Sequence, residues 1–424
     1  MIKKFNESKA KVFTFIKHPL FSGSFIMIVG TNFANFLAYL YHLVLGRMLG
    51  PSSYGELAAT LAALGLLSTV FSFMGLVIVK FVSSANESER SKLFTWFFKK
   101  SLWLGSIMLV VFMLLAPFIS KFLHIDIKIA ILIGPILSLS LFGFLFRSFL
   151  QGLLSFGKIV FLTNMEVLFR LLIGIGFVYF NFLAFGGILG VFFGALIVVI
   201  FGSSYLKSFY TNKNNSFQGG RNILRYAIPV LIISITGNSL ISSDLILVKH
   251  FFNSHDAGIY ASLSNLGKII FFGTSPISAV MFPIVAQKHS KKENYFKILA
   301  LSLLLVGVVA GAILVIYFFF PKLMINILYG NKFLEGSKNL IWFGIFITLY
   351  TITSLIISFY LSIDKTKVVI LPLIFAVFQV IGIYMFHNTI LEVVKISILA
   401  TSLLLLSLFI YFVYGIKKLE AKIK

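Results

Sequence analysis

Leu43–Ala59 reads LVLGRMLGPSSYGELAA, and Ile246–Ser262, offset by 203 residues, reads ILVKHFFNSHDAGIYAS. In this alignment Gly55 falls on Gly258, and Arg47 falls on His250, beside Lys249. The two stretches share a cadence of apolar, polar, glycine and apolar residues rather than many identities. Further landmarks keep the same order. Pro117 answers to Pro321 at an offset of 204, and Gly157-Lys158-Ile159-Val160 answers to Thr366-Lys367-Val368-Val369 at an offset of 209. The chain therefore reads as one module written twice. The expected division is a first bundle over 1–210, a cytoplasmic linker over 211–225 and a second bundle over 226–424.

Composition says what kind of module this is. Of 424 residues, 59% are hydrophobic and only 12% are charged, far from the balance of an ordinary soluble domain. A bilayer core needs about 20 apolar residues per helical span, and the chain supplies many such runs. It reads as an integral membrane protein with no sizeable water-soluble domain. The absence of cysteine excludes disulfides and thiolate metal sites. The first 20 residues are basic, without a short apolar core and cleavage site, so the first span is expected to be its own uncleaved insertion signal.

Hydropathy places six spans near 23–46, 54–79, 101–120, 129–150, 159–180 and 187–206, and six more near 227–251, 258–284, 298–320, 338–361, 368–387 and 393–414. With both ends on one side, 26 of the 36 Lys and Arg residues fall on that side, 8 on the other and 2 within spans. Positive residues collect in the cytoplasm, so both termini are expected inside. This bias accounts for most of the +23 net charge without nucleic acid or another polyanion as partner. Six is an even number, so both modules enter the membrane from the same side. Such parallel repeats are related by an axis along the membrane normal.

Soluble-site motifs are sparse. Gly152 to Lys158 spells GxxxxGK, but Ile159 stands where a P-loop needs Ser or Thr, and the flanks are membrane helices. The run reads as a tight turn. Gly186, Gly190 and Gly194 read as a helix-packing stripe. No zinc motif, Cys/His cluster or Ser/His/Asp set stands out, and no cofactor is expected. The informative residues are ionisable groups inside spans, each costing roughly 2.5–3.5 kcal/mol at a helix centre. Glu166 and Arg170 stand four apart on one helix face, where each can neutralise the other. Asp244 lies in the seventh span near Asn238, Ser242 and Ser243; Lys268 lies in the eighth near Ser264 and Asn265. Arg47, Arg147 and Lys249 sit near span ends, where snorkelling is the ordinary reading. The tally leans basic and suits an anionic substrate. Tyr39, Tyr41 and Tyr260 offer rings for stacking on sugars.

LGRMLGPSSYGELAA, FRSFLQGLLSFGK and DLILVKHFFNSHDAGIYASLSNLGKI resemble the oligosaccharide flippases of bacterial surface-polysaccharide pathways, the Wzx-like polysaccharide biosynthesis proteins of the MOP exporter superfamily. The resemblance covers nearly the whole chain. It implies an all-α membrane fold of twelve helices, two parallel six-helix bundles in a MOP/MATE-like V shape, working by alternating access. It implies a polyprenyl-diphosphate-linked glycan carried between leaflets in the cell membrane, a cationic lumen, and polysaccharide-assembly proteins as partners. Arg170 and Lys268, one per module, are expected to hold the diphosphate, with Arg47 and Lys249 at the outer mouth and Arg147 at the inner one. Asp244, with Glu166 as second carboxylate, is expected to couple transport to a proton or sodium ion. The alternatives are an ion-coupled MATE-type exporter of small molecules, which would want a cavity richer in carboxylates, and a membrane glycosyltransferase or polymerase. Such an enzyme usually has a long outer loop or an acidic motif, whereas the longest outer stretch here is Pro321–Ser337.

The charge count makes one prediction directly. Reporter fusions at Asn212 and at Lys424 should both read cytoplasmic; an external signal from either overturns the orientation.

Overall fold

The computed structural model describes residues 19–210, 239–363 and 365–423. Five helices lead: α1 (Pro19–Ser84), α2 (Glu87–Leu123), α3 (Ile127–Gly152), α4 (Phe156–Tyr179) and α5 (Leu183–Tyr205). Then come α6 (Ser243–Phe251), α7 (Ser254–Ser290), α8 (Phe296–Phe319), α9 (Pro321–Leu328), α10 (Leu340–Ser362), α11 (Ile370–Met385) and α12 (Ile390–Ile423). The protein is an all-α integral membrane protein. Among the described residues, nine helices are long and apolar enough to cross a bilayer, and they match the third to sixth and eighth to twelfth expected spans. The first two expected spans are the arms of α1. The seventh begins outside the described residues, and α6 is its end.

The opening motif explains why α1 counts as two arms. A straight 66-residue helix would run for about 100 Å, well beyond a bilayer. Gly50 breaks it, with φ 68° and ψ 177°, and Pro51 follows inside the helical run. Glycine tolerates positive φ, and proline is at home in a helix's first turn because it has no N–H to leave unpaired.

The described residues form two compact units. One lies within Met1–Met48, Leu67–Lys121 and Ile125–Ile232; the other within Leu49–Leu66, Phe122–His124 and Ile233–Lys424. In the first, α3 packs on both α4 and α5, and α4 packs on α5. Phe94, Phe146 and Phe149 of its core are fully buried, while Trp103, Leu114 and Phe118 of α2 are exposed, as a face solvated by lipid requires. In the second, α7 packs on α8 and α10, and α12 packs on α10 and α11, around a core that includes Leu240, Met281, Tyr350 and Phe359.

Inside the second unit the two quoted stretches touch. A Cβ on Gly55 would collide with the Ser254 carbonyl oxygen and stand 2.8 Å from the Gly258 nitrogen; one on Gly258 would collide with the Pro51 carbonyl. In the alignment of the two stretches Pro51 stands opposite Ser254, and Gly55 opposite Gly258. The contact is therefore reciprocal in that alignment. Only glycine allows backbones this close.

Gly258→Ala should lower stability by about 1–3 kcal/mol, because the obstruction is backbone that cannot rotate away. Gly65→Ala is the control. A Cβ at Gly65 meets nothing within 4 Å, so it should be neutral or stabilising by about 0.5–1 kcal/mol. Thermal unfolding of the purified protein in detergent compares them; wild-type melting of Gly258→Ala would disprove the close approach.

Candidate functional site

The first unit builds its charged cluster on the α4–α5 seam. Gly186, Gly190 and Gly194 let the two helices touch: a Cβ on Gly190 would lie 2.5 Å from the Arg170 carbonyl oxygen, and one on Gly194 would lie 2.7 Å from that of Glu166. The stripe therefore fixes the backbone that carries both ionisable residues. Their side chains do not pair. Glu166 instead takes the guanidinium of Arg147, from α3, in an ion pair whose members are 20% and 28% exposed. Arg170 lies over the ring of Tyr41, 4.0 Å from its centroid. The Tyr41 hydroxyl donates to the Gly187 carbonyl at 2.8 Å. Arg170 Nε is buried and has no hydrogen-bond partner. A guanidinium on an aromatic face gains cation–π attraction, and the buried Nε donor is left over.

The second unit holds its own set. Asp244, in the first turn of α6, is fully buried. Its Oδ2 accepts from the Tyr260 hydroxyl of α7 at 2.7 Å, and its Oδ1 has no hydrogen-bond partner. Lys268, two turns further along α7, interacts with Asp244 through charge. The two form no direct ion pair among the described residues. Deeper in the unit, Gln379 of α11 donates to the Leu240 carbonyl at 3.2 Å and to Ser397 at 2.8 Å, holding the turn that leads into α6.

The residues near span ends divide. Lys249 does not snorkel: it is fully buried, and its ammonium donates to the His124 carbonyl at 2.8 Å and to Ser254 Oγ at 2.6 Å. His124 stands in the left-handed region, with φ 48°, and the lysine caps the carbonyl presented there. His250 stacks on Phe122, with ring centroids 4.1 Å apart. Arg147 is held by Glu166, and Arg47 is exposed. Tyr41 and Tyr260 are fully buried and engaged as described, so neither presents a free ring to a sugar. The GxxxxGK run is the turn between α3 and α4, with Leu154 at φ 56°. Lys158 lies over the Tyr205 ring at 5.2 Å, and no phosphate cradle forms. Asn238 lies outside the described residues. Among the described residues no group of His, Cys, Asp and Glu is arranged to hold a metal.

Sequence reasoning missed three associations: Arg147 with Glu166, Asp244 with Tyr260, and a buried cluster in which Asn265 donates to the Tyr54 hydroxyl at 2.7 Å beside Tyr329. The Asp244–Tyr260 pair, 16 residues apart across a helix break, had a signal in the buried aromatic following an in-span acid. The Arg147–Glu166 pair joins consecutive helices and the Tyr54 cluster distant ones, and neither left a signal.

Residues 20–289 match the family described as polysaccharide biosynthesis protein. An uncharacterized membrane protein of Methanocaldococcus jannaschii is 23% identical over 377 residues, covering 81% of this chain and 83% of that one. Two solved structures share the fold with a TM-score of 0.74. A lipid II flippase, MurJ, in an inward closed conformation is 16% identical, over 92% of this chain and 87% of its own. An inward-facing multidrug resistance MATE family transporter of the MOP superfamily is 14% identical, over 93% and 98%. A MOP superfamily transporter from Pyrococcus furiosus with a binding pocket of reversed polarity is 15% identical over 95% of each chain at a TM-score of 0.59. The fold is that of the MOP transporters.

Two half-buried charges that satisfy one another make a specific prediction. Arg147→Ala should destabilise the protein by leaving Glu166 unpaired, and Glu166→Gln added to it should recover part of the loss, a coupling of about 0.5–3 kcal/mol. Melting temperatures of the two single variants and the double variant measure it; simple additivity would show that the pair carries no coupling.

Proposed function

The chain belongs to the polysaccharide biosynthesis protein family, and we propose that it moves a polyprenyl-diphosphate-linked oligosaccharide from the inner to the outer leaflet during surface polysaccharide assembly. The observation that carries this reading is Arg170. It is a guanidinium within a membrane helix whose neighbouring carboxylate is claimed by Arg147, and it keeps a buried Nε donor with no partner among the described residues. A buried unpaired donor loses about 1–3 kcal/mol relative to a satisfied one. An anion that presents two or more oxygens repays that loss best, and the fork of arginine suits a diphosphate. The remaining physical need is general: a diphosphate and its sugars cannot enter hydrocarbon unpartnered, whereas a polyprenyl tail can stay there.

In the second unit Lys268 is the corresponding cation, and Asp244 is proposed as the coupling carboxylate. A proton or sodium ion on the free Oδ1 of Asp244 would remove the charge that Lys268 faces and release the ammonium for a substrate oxygen. Anion binding and cation binding would then support one another. Arg47, exposed, is proposed to meet the substrate at the membrane rim, and Arg147 and Lys249, whose donors are already engaged, to support it. An exporter of cationic molecules fits less well, because both in-span carboxylates, Glu166 and Asp244, have partners within the protein. The reading is transport rather than catalysis.

A glycan-export complementation assay with matched protein levels tests the reading. Arg170→Ala and Lys268→Ala should each reduce export by about tenfold or more, and together should reduce it to background. Arg170→Lys and Lys268→Arg should be milder. Asp244→Asn should export without responding to collapse of the ion gradient. Normal export by the double alanine variant would place the diphosphate elsewhere, and gradient-dependent export by Asp244→Asn would remove the coupling role.

A further inference from the structure

The second unit contains a cavity of about 460 Å³ bordered by α7, α8 and α10. Its wall carries six hydroxyls: Thr274, Ser275 and Ser278 from α7, and Thr351, Ser354 and Ser358 from α10. The spacing is helical. Ser275 and Ser278 share a face of α7, and Thr351, Ser354 and Ser358 share a face of α10. No charged residue lines the cavity.

A bilayer protein often hides serine and threonine by back-bonding to its own helix, and half of these do so. Thr274 donates to the Ile270 carbonyl at 2.7 Å, Ser275 to that of Phe272 at 3.1 Å and Thr351 to that of Ile347 at 2.7 Å. Their oxygens still accept. Ser278, Ser354 and Ser358 are half-buried and make no hydrogen bond to another described residue. A small-residue packing seam would account for such residues if the helices closed on one another, but here they leave an open volume. Hydroxyls without protein partners at membrane depth need water or a polar ligand. With no charge present, that ligand is neutral and rich in donors and acceptors.

The same face of α7 leads to Lys268. Ser275 is seven residues beyond it and Ser278 ten, about 10 and 15 Å along the helix, with Phe271 between them on the cavity wall. In a lipid-linked glycan the first sugar is bonded directly to the diphosphate. A diphosphate on Lys268 therefore has its first sugars within reach of the hydroxyl wall. We propose that this cavity is the glycan subsite of the second unit, taking the neutral sugars next to the diphosphate through Ser278, Ser354 and Ser358. The proposal rests on the flippase reading above and adds what holds the sugar.

The test measures binding to the full-length protein in nanodiscs. The probes are undecaprenyl diphosphate and the same lipid carrying an N-acetylglucosamine trisaccharide. The wild type should bind the glycosylated probe at least about tenfold more tightly, as several retained hydrogen bonds would give. Ser354→Leu with Ser358→Leu fills the cavity and should erase that preference while leaving the affinity for the bare lipid unchanged. Ser278→Ala with Ser354→Ala, which removes hydroxyls without adding bulk, should weaken the preference and also covers any misfolding of the filled variant. Lys268→Ala should weaken both probes together. A wild type that binds both probes equally, or a filled variant that still prefers the glycan, overturns the subsite and leaves the flippase reading standing. A wild type that binds neither probe overturns both.

Discussion

Hydrocarbon solvates no charge, and the arrangement of ionisable groups in this protein follows from that. Glu166 and Asp244, both acids inside spans, have each been given a donor by the fold: Glu166 has Arg147, and Asp244 has the Tyr260 hydroxyl. The basic residues are treated differently. Lys249 is capped by a backbone carbonyl and a serine, whereas Arg170 rests on an aromatic face with a buried donor left over. Satisfying carboxylates inside the protein while leaving a guanidinium short of an acceptor tilts the interior towards anions. Total charge would not reveal this tilt, because most of the +23 belongs to the segments expected on the cytoplasmic side.

Helix number and location were legible from the sequence because the bilayer acts on composition alone. Nine apolar runs became nine candidate crossings among the described residues, and the gap between the first two expected spans falls where Gly50 and Pro51 break α1. The cadence shared by the two quoted stretches was legible, and the structure gives Gly55 and Gly258 a physical role that cadence does not: they are the points where the two backbones meet. The glycine stripe of α5 was legible as packing, and packing is what it does.

The partners of charges were not legible. Glu166 and Arg170 have the spacing of a helical ion pair, yet an arginine 19 residues before the glutamate, on another helix, takes the carboxylate. Spacing within one helix reports which side chains can meet, not which competitor from a neighbouring helix arrives with better geometry. The tyrosines show the same limit. Tyr41 and Tyr260 carry hydroxyls that a buried environment must satisfy, and Gly187 and Asp244 satisfy them, so rings that looked available for sugar are structural.

Placing charge and hydroxyls in sequence along α7 has a consequence for release as well as capture. A charge-assisted contact is strong and geometrically demanding, and a carrier that gripped its whole substrate that way would hold it. Hydroxyl contacts to sugars exchange for hydroxyl contacts to water at nearly equal free energy, so the net contribution of each is small. On the proposed reading, a charged grip on the diphosphate near Lys268, with an uncharged hydroxyl wall beyond it, would fix the end common to all such lipids and leave the variable end loosely held. Switching then needs to act on the charge alone. Asp244, which interacts with Lys268 through charge and lies one helix connection away from it, is the group proposed to do so.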